Sequence, residues 1–418
     1  VELSKFGNKV AKGAGIVELM EDLGAALNEN PDMIFMGGGN PARIQPVEAI
    51  FKQHFEKLLT DTEQFYSTTG VYQSPKGELE FRCEVAALLK RQFGWSLNQD
   101  NIAVSNGSQS AFYILFNLLA GEMTDGSYKS IHLPLTPEYI GYRDLGLSED
   151  FFTATKPEIE LIEQDLFKYH IDFSDLNITD NTAALCVSRP TNPTANVLTN
   201  DEIEHLDQLA KQANIPLIID GAYGLPFPNI TFCDALPHWN NNTILVLSLS
   251  KLGLPGVRTG IVVADQDIIQ AYSSANTVIN LACGNLGPAI AADLFKSDEI
   301  IALSNQHIKP FYQQRMQQVV ALFRASMNNI PYRIHLPEGA IFLWLWFEGL
   351  PITSQELYQR LKDRGVLVVP GHNFFLGISD NWAHKHQCIR VSYVQEVAEL
   401  EKGIKILAQE VAKAYRQG

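Results

Sequence analysis

Cysteine is scarce and scattered in this sequence: the five, Cys83, Cys186, Cys233, Cys283 and Cys388, form no C-x-x-C pair. Such spacing suits neither a disulfide framework nor a zinc site, so a reducing, cytoplasmic setting is expected. Positive charge is also in short supply. Lys plus Arg number 32 against 47 Asp plus Glu, a formal charge of −15 that argues against a surface built for nucleic-acid phosphates or anionic lipid. The longest apolar run, Ala340 to Phe347, falls far below the ~18 residues of a membrane span. Val1 to Gly15 hold no apolar leader, and no repeat, low-complexity tract or Gly/Ser linker is visible.

What is there is the composition of a folded chain, 46% hydrophobic and 19% charged over 418 residues. At about 150 residues per domain that length allows two or three. From Ile102 onward, short apolar runs alternate with helical patterns. Ile102–Ser105, Ile131–Pro134, Ala183–Ser188, Leu217–Asp220, Ile244–Leu249 and Thr259–Ala264 are predicted strands, and Ser110–Ala120 and Asp201–Ala213 predicted helices. The alternation predicts an α/β fold with a mostly parallel sheet flanked by helices. After about Leu303, helices Pro310–Met327 and Gln355–Arg364 flank strands Ile341–Phe347, Val366–Val369 and Ile389–Tyr393. This predicts a smaller α+β domain built from residues 1–45 and 303–418, beside a large domain over residues 46–302.

The informative residues lie at the ends of the strands, where open α/β sheets place their ligands. Asp220 closes an apolar run and is followed by Gly221-Ala222-Tyr223; alone, such an Asp could equally cap the next helix. Lys251 follows the strand ending Ser248-Leu249-Ser250. A partly desolvated lysine there is a candidate for Schiff-base chemistry, although a lone Lys after a strand usually faces solvent. Seven residues on, Arg258 can grip a phosphate. Asn106-Gly107-Ser108-Gln109 opens a helix whose free N–H groups suit an anion, or simply an N-cap. Arg189-Pro190-Thr191-Asn192-Pro193 makes a rigid turn that fixes the Asn192 amide.

The order of these pieces resembles the fold-type I, pyridoxal-phosphate-dependent class I and II aminotransferases, and the resemblance spans nearly the whole chain. Met36–Pro41, Ser105–Ser110, Pro137–Tyr142, Ser248–Gly256 and Pro370–Phe375 narrow it. They resemble the members that move an amino group between L-valine and pyruvate, giving 3-methyl-2-oxobutanoate and L-alanine by a ping-pong route through pyridoxamine phosphate. The resemblance implies that Lys251 anchors the cofactor covalently and moves the proton, that Asp220 pairs with the ring nitrogen, and that Tyr223 and Asn192 bond the ring's phenolic oxygen. Tyr139 would stack on the ring. Gly107, Ser108, Gln109, Ser248 and Arg258 would hold the phosphate. Tyr66 would reach the phosphate of the neighbouring subunit, making a homodimer with shared sites. Arg390 and the Gly39 N–H would bind the substrate's α-carboxylate, a task suited to a guanidinium's two parallel donors, and Asn192 would be a substrate-binding residue beside them. No metal is implied.

One departure stands in the turn, where Ala195 occupies a position that many relatives fill with Gly; with φ > 0 there, Ala would cost about 1 kcal/mol. Competing readings remain open at this point. Gly37-Gly38-Gly39-Asn40-Pro41-Ala42 fits G-x-G-x-x-A, the mark of a dinucleotide-binding oxidoreductase, but Pro41 and Pro46 make a poor helix start. His384, His386 and Cys388 alternate like metal ligands on a strand but lack a fourth; a solvated loop explains them better, and His372 reads as a structural loop residue. Lyase chemistry or a broader amino-acid range would use the same scaffold. A ligand-sensing module without activity would be expected to carry a basic DNA-binding arm, and none is visible. Phe342, Trp344, Trp346, Phe374 and Phe375 are pocket candidates that fit equally well as core.

Overall fold

The computed structural model describes residues 1–11, 15–162 and 165–417. Thr182–Ser188, Leu217–Asp220 and Thr243–Ser248 are buried at every position, as strands covered on both faces must be. They run parallel to one another. Across the large sheet the order is Ile102–Ser105, Gly260–Val263, Thr243–Ser248, Leu217–Asp220, Thr182–Ser188, Tyr128–Leu133 and Gly121–Glu122, with Phe152–Ala154 also paired to Tyr128–Leu133. Gly260–Val263 is antiparallel to both neighbours, so the sheet is mixed.

The period of two along each strand divides the core between the two faces. Ala103, Ile218, Val246 and Val262 join Phe112, Leu115 and Phe116 of the helix Ser108–Leu119. Leu217, Ile219, Leu245 and Ile261 join Ile203 and Leu206 of the helix Asn200–Gln212. That second helix starts where Thr199 and Glu202 satisfy each other's backbone N–H groups in a capping box.

A second sheet runs Val369–Pro370, Cys388–Ser392, Phe342–Trp346, Arg333–His335, Leu166–Ile171 and Pro157–Leu161. Its last two strands form a hairpin from the middle of the chain, inside the span expected for the large domain. The chain ends do meet: Ile34–Phe35 lies parallel to Val366–Leu367, and the Ser392 N–H donates to the Met36 carbonyl at 2.8 Å. The single strand expected over Val366–Val369 is therefore two. Val366–Leu367 pairs with the N-terminal segment and Val369–Pro370 with Cys388–Ser392.

Candidate active site

The loops at the carboxyl ends of the large sheet converge. Gly107 has φ +83° and leads into the helix Ser108–Leu119, which no side chain caps. A Cβ on Gly107 would stand 2.2 Å from the Arg258 guanidinium, and one on Gly260 would stand 2.8 Å from the Ser108 nitrogen. Only glycine allows both approaches. Among the described residues, the exposed guanidinium reaches just two carbonyls, Pro255 and Asn106, at 3.5 Å. Such long bonds leave its donors available to an anion. Ser248, buried at its strand end, accepts from the Ser250 N–H at 3.1 Å, and Gln109 donates to the Gly141 carbonyl at 2.8 Å.

Beside this cup, Asp220 is buried with Oδ2 accepting from the Tyr142 hydroxyl at 2.7 Å and Oδ1 from the Ala222 N–H at 2.9 Å. Burial pushes its carboxyl above the usual range, against the pull of Tyr142, Ala222 and Lys251. The Lys251 ammonium lies 5.3 Å from the Tyr223 ring centre and donates to the Gly39 carbonyl at 2.5 Å. Desolvation first, and the Arg390 and Arg258 charges after it, lower Lys251 to about 8, with Asp220 pulling the other way. Burial raises the Tyr223 phenol above its ordinary value. The partly buried Tyr139 ring meets the Tyr142 ring edge-on, with centres 5.3 Å apart.

Arg390, 6% exposed, closes the far side. It donates to Asn192 Oδ1 at 2.8 Å and to the Gly37 carbonyl at 2.7 Å, and its guanidinium carbon lies 4.1 Å from the Phe342 ring centre and 5.2 Å from that of Phe374. Its Nε finds no partner among the described residues. Burial lowers it to about 10, so it stays charged at neutral pH. Because Asn192 Oδ1 is taken, the group Asn192 has left to offer is its amide donor. Gly39 meets this site through its carbonyl on Lys251. Tyr66, on the helix Thr62–Thr69, is 62% exposed.

Sequence reasoning missed Tyr142, the carbonyl of Gly37 and the stacking role of Phe342 and Phe374. The second tyrosine of Pro137–Tyr142 was a readable signal for the first; a backbone carbonyl has none. Ala195 has φ 63°, so the strain anticipated for an alanine there is present. The glycine run at 37–39 is followed by no helix until Gln45, and its strand Ile34–Phe35 lies outside the large sheet, so the dinucleotide reading fails. His384 is buried, with Nε2 2.5 Å from the Tyr169 hydroxyl, rather than solvated as expected. No group of three His, Cys, Asp or Glu side chains among the described residues is placed to hold a metal.

A cradle that a Cβ would fill, an uncapped helix start and an arginine with spare donors fit a phosphate; a buried carboxylate and a desolvated lysine fit the ring and carbonyl of pyridoxal phosphate. The chain belongs to the class I and II aminotransferases, whose family model matches residues 150–407. Enzymes of this family depend on pyridoxal 5′-phosphate. The chain is 50% identical over 417 residues to the valine–pyruvate aminotransferase of Escherichia coli (strain K12), covering 99% of each protein. It matches the crystal structure of the Salmonella typhimurium LT2 valine–pyruvate aminotransferase with a TM-score of 0.89 and 48% identity, over 96% of this chain and 100% of that one. A Psychrobacter arcticum 273-4 structure assigned as an amino-acid aminotransferase gives a TM-score of 0.97 at 44% identity, covering both chains fully.

Proposed function

We propose that this aminotransferase moves the amino group of L-valine to pyruvate, giving 3-methyl-2-oxobutanoate and L-alanine, and that it works as a homodimer in the cytoplasm. The observation that carries the reading is the convergence of Lys251, Asp220, Tyr223 and Arg390 in a chain half identical to an enzyme of that name. Bound here, pyridoxal phosphate supplies an electron-withdrawing ring that eases loss of a proton from the substrate's α-carbon. Lys251 Nζ, neutral more readily than an ordinary lysine, takes that proton and returns it. Asp220 would keep a positive charge on the ring nitrogen, Tyr223 and the Asn192 amide would donate to the ring oxygen, and Tyr139 would cover the ring face.

The N–H groups of Ser108 and Gln109, with Ser248 and Arg258, would hold the phosphate, while Gly107, whose own N–H donates to the Ser105 carbonyl at 2.8 Å, lets it approach. Arg390 receives the α-carboxylate through donors not already spent on Asn192 and Gly37, with the Gly39 N–H beside it. Tyr66 serves the partner's phosphate. Its neighbours favour an interface there: Phe65, Tyr72, Val278 and Leu281 are exposed, and their two segments touch where Asn276 donates to the Pro75 carbonyl at 3.1 Å. The division into domains over 46–302 and over 1–45 with 303–418 is proposed with one amendment. The hairpin Pro157–Leu161 and Leu166–Ile171 goes with the smaller domain's sheet.

The purified protein is expected to show a cofactor absorption band that L-valine or L-alanine discharges and pyruvate restores. Protein that gains no band with added pyridoxal phosphate would overturn the reading. Ammonia released from one amino acid alone would mean elimination instead.

A further inference from the structure

Glu138 is 1% exposed and lies among the site's loops. Its Oε1 accepts from the Ser188 N–H at 2.7 Å; its Oε2 meets the Ser188 hydroxyl at 2.6 Å and accepts from the Tyr139 N–H at 3.0 Å. Its own N–H donates to the Phe374 carbonyl at 2.9 Å. These contacts join three walls of the site. Tyr139 covers the ring face. Ser188 is Asp220's cross-strand neighbour and opens the turn that carries Asn192, while the following Arg189 N–H donates to the Asp220 carbonyl at 2.9 Å. Phe374 lies over Arg390.

We infer that Glu138 is a positioning residue: its buried carboxyl ties Tyr139 and the Ser188 base of the Asn192 turn into one hydrogen-bonded unit, and so sets where the ring-covering tyrosine and the Asn192 amide stand. The inference rests on the function proposed above. The residue type follows from the donors. Two backbone N–H groups arrive at two different oxygens, so both oxygens must accept. A carboxyl does this, and an amide of the same shape cannot. No basic side chain among the described residues pairs with Glu138, and burial, opposed by the Ser188 and Tyr139 bonds and reinforced by the Asp220 charge, raises it to about 8.

The test compares reconstituted holoenzymes of wild type, Glu138→Gln and Ser188→Ala by the pH midpoint of the cofactor band, by kcat and KM for L-valine, and by Tm. Misplacing the Asn192 donor removes a hydrogen bond that favours the unprotonated chromophore, so the Glu138→Gln midpoint should rise by about half a unit or more. kcat/KM should fall about tenfold or more, as for an unmade buried hydrogen bond. Ser188→Ala, which spares both backbone bonds, should move the midpoint the same way by less, and it carries the test if Glu138→Gln is not recovered folded. Variants that lose Tm while keeping the wild-type midpoint and kcat/KM would reduce Glu138 to a structural residue and overturn the inference. A wild-type protein without a cofactor band would overturn the proposed function, and this with it.

Discussion

Lys251 illustrates at the level of one residue how a site is assembled against stability. Its lowered ammonium, near 8 against an ordinary 10.5, means that folding disfavours the charged form. The penalty is full below about 8, shrinks between 8 and 10.5, and vanishes above, where the unfolded chain is neutral too. Lys251→Met should therefore abolish turnover yet raise the Tm of cofactor-free protein at pH 7, with the advantage narrowing across that window. A lower Tm for the variant at pH 7 would show Asp220 stabilising the ammonium instead. Ala195 tells a quieter story. Its left-handed backbone costs ~1–2 kcal/mol, but Ala195→Gly gives up a buried methyl of ~0.8 kcal/mol and adds unfolded-state freedom of ~0.4–1 kcal/mol. The terms nearly cancel, so denaturant titration should find that variant close to wild type, and Ala195→Val destabilised by about 2 kcal/mol or more. Arg390→Lys, losing the paired donors, should raise the KM for L-valine about tenfold or more with a smaller change in kcat.

Among the elements, what the sequence made legible was whatever carries a local mark. Leu217–Asp220 could be read to the residue because a fully buried strand is continuously apolar and its polar end stands out. Lys251 and Arg258 were legible from the strand before them and the glycines between them. The hairpin was not: Pro157–Leu161 alternates apolar and charged residues, and its partner strand docks onto Arg333–His335 far along the chain. Local pattern says nothing about such a pairing. The same holds for Tyr142 on Asp220 and for Lys168 on Glu338, one buried and one largely buried bond across long sequence separations. The second pins the hairpin to the Asn192 turn, since Glu338 also accepts from the Val197 N–H at 3.0 Å. Lys168→Met leaves that carboxylate without its cation, and chemical denaturation should show a loss of about 3–5 kcal/mol.

For the whole molecule, the question is whether Tyr66 works across a subunit boundary. Mixed dimers answer it. Refolding Lys251→Ala with Tyr66→Ala places an intact lysine and an intact tyrosine in one of the two sites only if the tyrosine serves its partner. The mixture should then regain a population binding pyridoxal phosphate as tightly as wild type, whereas a tyrosine serving its own subunit would give none. The second sheet has a consequence of another kind, for synthesis. Leu166–Ile171 leaves the ribosome about 160 residues before Arg333–His335 can meet it. At the usual pace of translation that is a wait of roughly ten to thirty seconds. During that time the hairpin offers an unpaired edge to the cell. The large sheet can close early, but Arg390, the arginine proposed to bind the substrate carboxylate, sits on a strand that arrives last.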